Sequence, residues 1–485
     1  MNNTNNKKFD ILPFILFLIF VYIPLSFSKY DMWDGVIIDY AYKIKNTLGI
    51  KTWLFESSWI FQYFQLETFF KLATFFNLSY KFINDISILI FGIILIKEFK
   101  FICINLFKIT EKNTLFVLCL IAIYPAWSTF LSSVLTFYFL CFVFGILSVR
   151  LLHSKKIFYN IISIFILLFV YNYSSLLIFL PSLSYLYDDK SSEQRYFSKP
   201  SFRTFFIFSI SILYYLIFKI IYPPSGMYIG YNVISFKNNL IPQMIKSIFG
   251  FATFLIIPFI FTFFLKSFSF KLKKQFIYLV ILFITSVSPY ILVGRTVNII
   301  NFWDWEYRHI YLSSLSICIF FGIFLDNKNS LKLKSLYLKI FILFSFVILL
   351  LCGFLIKLNR QIFEDDLSQL LKNENVVYTN SIIQIVGSKL PLPAFRTYEA
   401  NHLFYRLNNS QTNWITITNH YSDDFDLANK ILVDKKYQLG YVLNTNIKPN
   451  RHVLIKIKCT GYRSPLDILL NLCKLNKNKS IIIIE

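Results

Sequence analysis

The sequence predicts a bundle of membrane-spanning α-helices followed by a small soluble α/β domain. Three observations carry that prediction. Of the 485 residues, 56% are apolar or aromatic and only 15% are charged, where soluble domains carry roughly 25% charge; the mean hydropathy is +0.56. The apolar residues are gathered into runs, and about 20 such residues cross a bilayer once. Lys and Arg are segregated into alternate connecting loops, as the positive-inside rule requires. These features exclude a cytosolic enzyme, a disordered chain and a small secreted scaffold.

The first run, 11–28, follows Lys7 and Lys8. It is too long for the apolar core of a signal peptide and is followed by many others, so it reads as a retained first helix with a cytoplasmic N-terminus. Further runs lie at 82–96, 114–131, 133–149, 157–172, 174–187, 204–222, 244–265, 276–292, 309–325 and 336–356, about 11 transmembrane helices in all. Alternate loops hold the basic residues, among them Lys97 to Lys112, Lys155, Lys156, Lys271 and Lys334. The short opposite loops carry only Lys237, Arg295 and Arg308. The net charge of +23 belongs to this segregation. No motif that reads nucleic acid accompanies it, so no nucleic-acid partner is expected.

The alternation divides the chain into a transmembrane part, 1–356, and an extracytoplasmic tail, 357–485. The tail is polar and mixes a helix-like stretch (364–373) with strand-like ones (452–458 and 480–485), which predicts one small α/β domain. The long first loop, 29–81, falls on the same side as the tail.

That loop opens with Tyr30-Asp31-Met32-Trp33-Asp34-Gly35. Trp33, Ile37, Tyr40, Ile44 and Leu48 recur at helical spacing, with Gly49 placed as a C-terminal cap. A second helix is expected after Ser57 or Ser58, both natural N-caps. Two amphipathic surface helices on the membrane are therefore predicted. Asp31 and Asp34 then sit about one turn apart where the first span leaves the bilayer. A partly desolvated carboxylate there has a raised pKa and suits a general base for a hydroxyl nucleophile. The plainer reading makes Asp31 the cap of a helix beginning at Met32 and Asp34 a complement to its dipole.

A second polar cluster runs from Arg295 to Tyr311 (RTVNIINFWDWEYRHIY). Arg295, Arg308 and His309 stand at the mouths of spans, where an arginine fork binds phosphate oxygens. Trp303 and Trp305 either stack on a sugar or form an interfacial aromatic belt. Asp304 and Glu306 offer partners for Arg308. Lys237 is a further cation for a phosphate. No Cys or His spacing resembles a metal site, and Cys459 and Cys473 are placed to form a disulfide if the tail is extracytoplasmic. No serine-hydrolase, P-loop or dinucleotide glycine pattern occurs.

Taken together, the acidic YDMWDG segment with its two following helices, the alternating short loops and the RHIY end of the second cluster resemble the type C integral-membrane glycosyltransferases. The resemblance covers the layout of the whole chain. It implies transfer of a sugar from a polyprenyl-phosphate donor to a surface glycan, such as O-antigen, or to a lipid acceptor. It implies Asp34 or Asp31 as base, with Arg295, Arg308, His309 and Lys237 around the lipid phosphate. It further implies Trp33, Trp303, Trp305 and Asp304 near the sugar or acceptor. A divalent cation is left open, with no dedicated site visible. A flippase or transporter of lipid-linked glycans predicts charges buried in mid-span and repeated halves. A glycan polymerase or ligase predicts key Arg and His residues in large later loops.

Overall fold

The computed structural model describes residues 11–28, 31–43, 47–188, 201–225, 274–293, 305–326, 332–373, 381–388, 414–418, 451–458 and 481–484. The chain is a helical membrane protein. Among the described residues, four helical stretches are long and apolar enough to cross a bilayer: Glu111–Leu131, Ser133–Leu152, Phe202–Ile221 and Leu336–Asn359. Every apolar run of the sequence coincides with helix for most of its length except 244–265, which lies outside the described residues.

Helix α1 (Leu12–Ser26) opens the bundle. Pro13 occupies its first turn, where a missing N–H leaves nothing unsatisfied. A π-turn over Leu18–Tyr22 precedes Pro24, the point at which the backbone loses a donor. The loop that follows forms three helices rather than the expected two: α2 (Gly35–Lys43), α3 (Thr47–Glu56) and α4 (Ile60–Phe75). Helix α2 is not a surface helix, because Val36, Ile37 and Ile38 are buried. Gly49 lies inside α3 and ends nothing.

Ser57 and Ser58 cap no helix either. The Ser57 hydroxyl donates back to the Leu54 carbonyl at 3.1 Å, and that of Ser58 donates to the Tyr222 carbonyl at 2.7 Å. Ser58 instead takes a left-handed backbone (φ 63°), turning the chain into α4.

Helix α5 (Tyr80–Phe101) has a true N-cap, the Ser79 hydroxyl accepting from Phe82 N. Helix α6 (Glu111–Ala122) stops early. Pro125 forces Tyr124 into an extended conformation (ψ 130°). The predicted single run 114–131 therefore breaks into α6 and a 3₁₀ segment, Pro125–Leu131, followed by a second, Ser133–Leu135. Helices α7 (Thr136–Leu152), α8 (Ile157–Val170), α9 (Leu176–Asp188), α10 (Phe202–Ile221), α11 (Lys274–Leu292) and α12 (Ser314–Asp326) complete the bundle. Helix α13 (Lys332–Asn373) has 42 residues and is about 63 Å long at 1.5 Å per residue. It joins the expected last span and the 364–373 stretch into one element.

The core centres on Trp127 in the first 3₁₀ segment. Its ring meets Phe17 edge-on at 4.8 Å, Phe139 at 5.2 Å and Tyr311 at 5.4 Å, and its indole N–H donates to the Ile121 carbonyl at 2.8 Å. Phe17 is also pressed against α5. A Cβ added at Gly92 would lie 2.4 Å from the Phe17 ring. Helices in lipid approach closely over such small residues.

Beyond α13, four strands form one mixed sheet in the order β2-β1-β3-β4: β1 (Ser381–Ser388), β2 (Trp414–Thr418), β3 (Arg451–Lys458) and β4 (Ile481–Ile484). β1 pairs parallel with both neighbours, and β4 runs antiparallel to β3. The segments connecting the strands, with Cys459 and Cys473, lie outside the described residues.

The Gly92 contact makes a direct prediction. Gly92→Ala drives a methyl into a Phe17 ring held in place by Trp127, and should cost about 1–3 kcal/mol of stability. Thermal unfolding in detergent should show a lowered midpoint, partly restored by adding Phe17→Leu.

Candidate functional site

The site begins with a buried carboxylate. Asp31 is 1% exposed. Its Oδ1 accepts from Met32 N and from Ser133 N, both at 2.9 Å. Nearby, Gly35 N donates to the Ser132 hydroxyl at 3.2 Å. Gly35 must be glycine here, since a Cβ would sit 2.0 Å from Asp31 Oδ1. Helix α2 starts only at Gly35, so Asp31 does not cap a helix at Met32. It fastens the loop after α1 to the turn between the two 3₁₀ segments.

The second oxygen of Asp31, Oδ2, has no hydrogen-bond partner among the described residues, and the same holds for Tyr80 Oη and Ser133 Oγ. Burial raises the Asp31 pKa to about 7, against the lowering pull of Ser133 and of the Lys81 ammonium. Lys81 itself is paired with Asp85 at 2.8 Å, inside α5.

Two residues on, Trp33 adopts a left-handed backbone (φ 51°), a strained conformation for a bulky residue. Its ring lies parallel to that of Trp305, with centroids 5.6 Å apart and planes at 5°. The Arg308 guanidinium lies over the Trp33 ring at 4.7 Å, and the Lys357 ammonium over the Trp305 ring at 5.4 Å. Trp305 and Arg308 both belong to a short 3₁₀ turn, Trp305–Ile310, that also carries His309. The result is a cluster of two parallel indoles and two cations, Arg308 against Trp33 and Lys357 against Trp305. It draws together the first loop, the 305–310 turn and α13.

One face of this assembly opens onto a cavity of about 150 Å³. Trp33, Asp34, Arg308 and His309 all line it. Asp34, immediately before α2, is half-buried, as is Arg308. Opposite walls come from Trp53, Trp59, Gln62, Tyr138, Tyr173 and Tyr290. The Gln62 amide donates to the Val134 carbonyl at 2.9 Å. The Tyr173 and Tyr290 hydroxyls are hydrogen-bonded to each other, and the Tyr290 ring lies 4.3 Å from that of His309. A second cavity of about 330 Å³, mostly apolar and reaching α10, shares Ser57, Trp59, Ser174, Pro289 and Val293 with the first.

The structure therefore brings together four of the residues expected from sequence: Trp33, Asp34, Arg308 and His309. Asp31 lies behind them, off the cavity wall. Trp305 is 2% exposed and packs against Trp33, which itself lines the cavity. Lys237, Arg295, Trp303 and Asp304 lie outside the described residues. The residues that sequence reasoning missed are Trp53, Trp59, Tyr138, Tyr173 and Tyr290 on the wall, and Lys357 over Trp305. A tryptophan next to a serine pair (Trp59 after Ser57 and Ser58) was the one available signal. Among the described residues, no group of three His, Cys, Asp or Glu could hold a metal ion. No protein-family model matches this chain, and no curated protein or solved structure matches it either.

Burial of Asp31 predicts a pH dependence of stability. The folded state holds the Asp31 proton up to about pH 7, whereas an unfolded aspartate releases it near pH 3.9. Stability from this group is present below the unfolded value and is lost as pH rises to the folded one. Asp31→Asn keeps a carbonyl acceptor for Met32 N and Ser133 N and removes the titration. The wild-type unfolding midpoint should drop between pH 5 and pH 8, and the drop should be clearly smaller in Asp31→Asn. Equal drops in the two proteins would exclude Asp31 as the titrating group.

Proposed function

We propose that the chain is a membrane glycosyltransferase that moves a sugar from a polyprenyl-phosphate donor to a hydroxyl of a surface glycan or lipid. The observation that carries this reading is a single cavity walled by one carboxylate, Asp34, and one guanidinium, Arg308, beside a larger apolar cavity. A space of about 150 Å³ is the size that accepts one six-membered ring. The adjoining apolar space suits a hydrocarbon chain. A lipid-linked sugar phosphate needs both, with a cation between them.

In this mechanism Asp34 takes the proton of the acceptor hydroxyl as its oxygen attacks the anomeric carbon. The bond from that carbon to the phosphate oxygen breaks, and its electron pair leaves with the lipid phosphate. Arg308 neutralises the departing charge, with His309 beside it. Arg295 and Lys237 are proposed as further phosphate contacts, and Trp303 and Asp304 as sugar or acceptor contacts. The aromatic walls of the cavity, Trp53, Trp59 and Tyr138, join Trp33 in the sugar-stacking part first assigned to Trp33 and Trp305. Asp31 holds the loop in place and is not the base.

The same reading sets the topology. The chain crosses the plasma membrane 11 times, counting the run 244–265, with its N-terminus in the cytoplasm. The cavity and a C-terminal α/β domain (357–485) face the extracytoplasmic side. A flippase reading draws support from one feature, the Lys81–Asp85 pair buried within α5, because charges inside the membrane mark transport pathways.

Two measurements test the proposal. Membranes holding matched amounts of each variant are supplied with radiolabelled polyprenyl-phosphate sugar. Asp34→Asn should lose about 10²–10⁴-fold in transfer while still binding donor, and Asp31→Asn should retain most of its turnover. Wild-type turnover in Asp34→Asn would sink the carboxylate mechanism, and absence of transfer in the wild type would favour the flippase.

For topology, single cysteines are placed in a background without native ones and treated with a membrane-impermeant maleimide on whole cells. Positions 45 and 430 should react and positions 156 and 273 should not. A protected 430 would put the tail in the cytoplasm.

A further inference from the structure

The larger cavity carries a charge for which the proposed mechanism has no use. Its walls come from α9, α10 and α11 and from the segments 57–59 and 171–174. On α10, Phe208, Ile212, Tyr215 and Lys219 follow one another at intervals of four, three and four residues, which places them on one face of the helix. Among the described residues, Lys219 is the one charged member of the wall, and no carboxylate lies on it. Several of the wall's other polar side chains are bonded within the protein. The Asn172 amide donates to the Ser58 carbonyl at 3.0 Å, and Ser211 Oγ donates to Tyr171 Oη at 2.7 Å. A lysine in the last turn of a helix complements its dipole and ordinarily extends along the membrane surface. Lys219 stands in the last turn of α10, but it is half-buried and lines the cavity.

The cavity is not sealed from the bilayer. Ile178 on α9 and Phe208, Ile212 and Leu216 on α10 line it, yet each of the four is exposed. Helix α10 is also the least buried of the four long spanning helices. Exposed apolar side chains on a spanning helix face lipid, so the cavity opens sideways into the membrane. Inward, it adjoins the smaller cavity that Arg308 lines. An apolar space open to lipid, with one cation and no carboxylate on its wall, fits an anion joined to a hydrocarbon. Cations in two adjoining cavities suit the several oxygens of a phosphate. An apolar cavity of about 150 Å³ holds one benzene, so roughly twice that volume holds about a dozen carbons, one chain rather than two.

We propose that a single-chain lipid phosphate enters from the bilayer between α9 and α10, lays its chain in the larger cavity and is held at its phosphate by Lys219. That this lipid is the sugar donor rests on the proposed function; the lipid site itself does not.

The test uses the full-length protein in a neutral detergent. The ligands are farnesyl phosphate, farnesol and inorganic phosphate, and the readout is Kd by isothermal titration calorimetry. A hydrogen bond to a charged group corresponds to about tenfold in affinity or more. Wild type should bind farnesyl phosphate more tightly than farnesol by about that factor, and inorganic phosphate only weakly. Lys219→Gln should lose this preference with its farnesol affinity unchanged, and Lys219→Arg should keep it. Ile212→Trp narrows the cavity, leaves the lysine in place and should weaken both farnesyl ligands.

An unchanged farnesyl phosphate Kd in Lys219→Gln overturns the proposal. So does an equal loss of farnesol, which would make the lysine a support for the cavity alone. Inorganic phosphate binding as tightly as farnesyl phosphate overturns it too, because the chain would then add nothing. Displacement of farnesyl phosphate by an equal concentration of phosphatidylglycerol would give the site to a two-chain phospholipid, and likewise overturns it. If Lys219→Gln does not fold, Ile212→Trp decides, and unchanged farnesyl phosphate binding in that variant overturns the proposal. If wild type transfers no sugar while farnesyl phosphate binding still follows Lys219, the glycosyltransferase reading fails and the lipid site stands.

Discussion

The arrangement of the site depends on one buried carboxylate accepting one backbone hydrogen bond from far away in the chain. Asp31 Oδ1 takes the amide of Ser133, 102 residues later, along with the amide of its own neighbour Met32. Gly35 N reinforces the link by donating to the Ser132 hydroxyl. With both ends of the 31–35 segment fixed, the three residues between have little freedom. Trp33 is pushed into the left-handed region and Asp34 is set at the cavity. An unpartnered buried oxygen would ordinarily argue against such a group. Burial raises the Asp31 pKa to about 7, which lessens the cost of a buried charge without giving Oδ2 a partner among the described residues.

A second constraint comes from the solvent. Inside a bilayer, irregular backbone survives only where protein satisfies its polar groups. The 123–135 stretch is irregular and wholly buried, and several of its polar groups are met within the protein, Ser133 Oγ being an exception among the described residues. Ser128 Oγ donates to the Pro125 carbonyl at 3.2 Å, Thr129 Oγ1 to Ala126 at 2.7 Å, Gln62 Nε2 to Val134 at 2.9 Å and Trp127 Nε1 to Ile121 at 2.8 Å. Those bonds allow the chain to leave helical geometry within the bundle. The gap in regular helix is what admits Asp31 from the other side. Fold and site thus share one cause: Pro125 ends α6 early, and the irregular turn it creates becomes the anchor for the first loop.

The helices were legible because periodicity and hydropathy are local properties. The meeting of Asp34 with Arg308 and His309 was legible for a related reason. Charged residues at span mouths are expensive, and those on one side of a bundle share little space. The misreadings came where the partner is distant or the backbone decides. Asp31 has the composition of a cap, yet its acceptor bond goes to Ser133, which no local pattern could announce. Gly49 lies inside a helix, and the Ser57 and Ser58 hydroxyls donate to the Leu54 and Tyr222 carbonyls, so cap-like identities make no cap here. Trp305 reads in sequence as a sugar platform or a belt residue, but it is buried against Trp33 with the Lys357 ammonium over its ring. Lys357 carries no signal in sequence, since a snorkelling lysine and a buried one are identical in one dimension.

Helix α13 runs without interruption from Lys332 to Asn373, and Lys357 stands 16 residues before its end, about four and a half turns. A continuous helix transmits torsion well, because twisting it at one point strains every hydrogen bond along its length. The last turns of α13 lead toward the strands of the tail. Whatever grips that tail holds a handle, and a rotation of a few tens of degrees applied there would sweep the lysine across the indole beneath it. The chain thereby joins the start of its polar tail to a buried cation by a single rod.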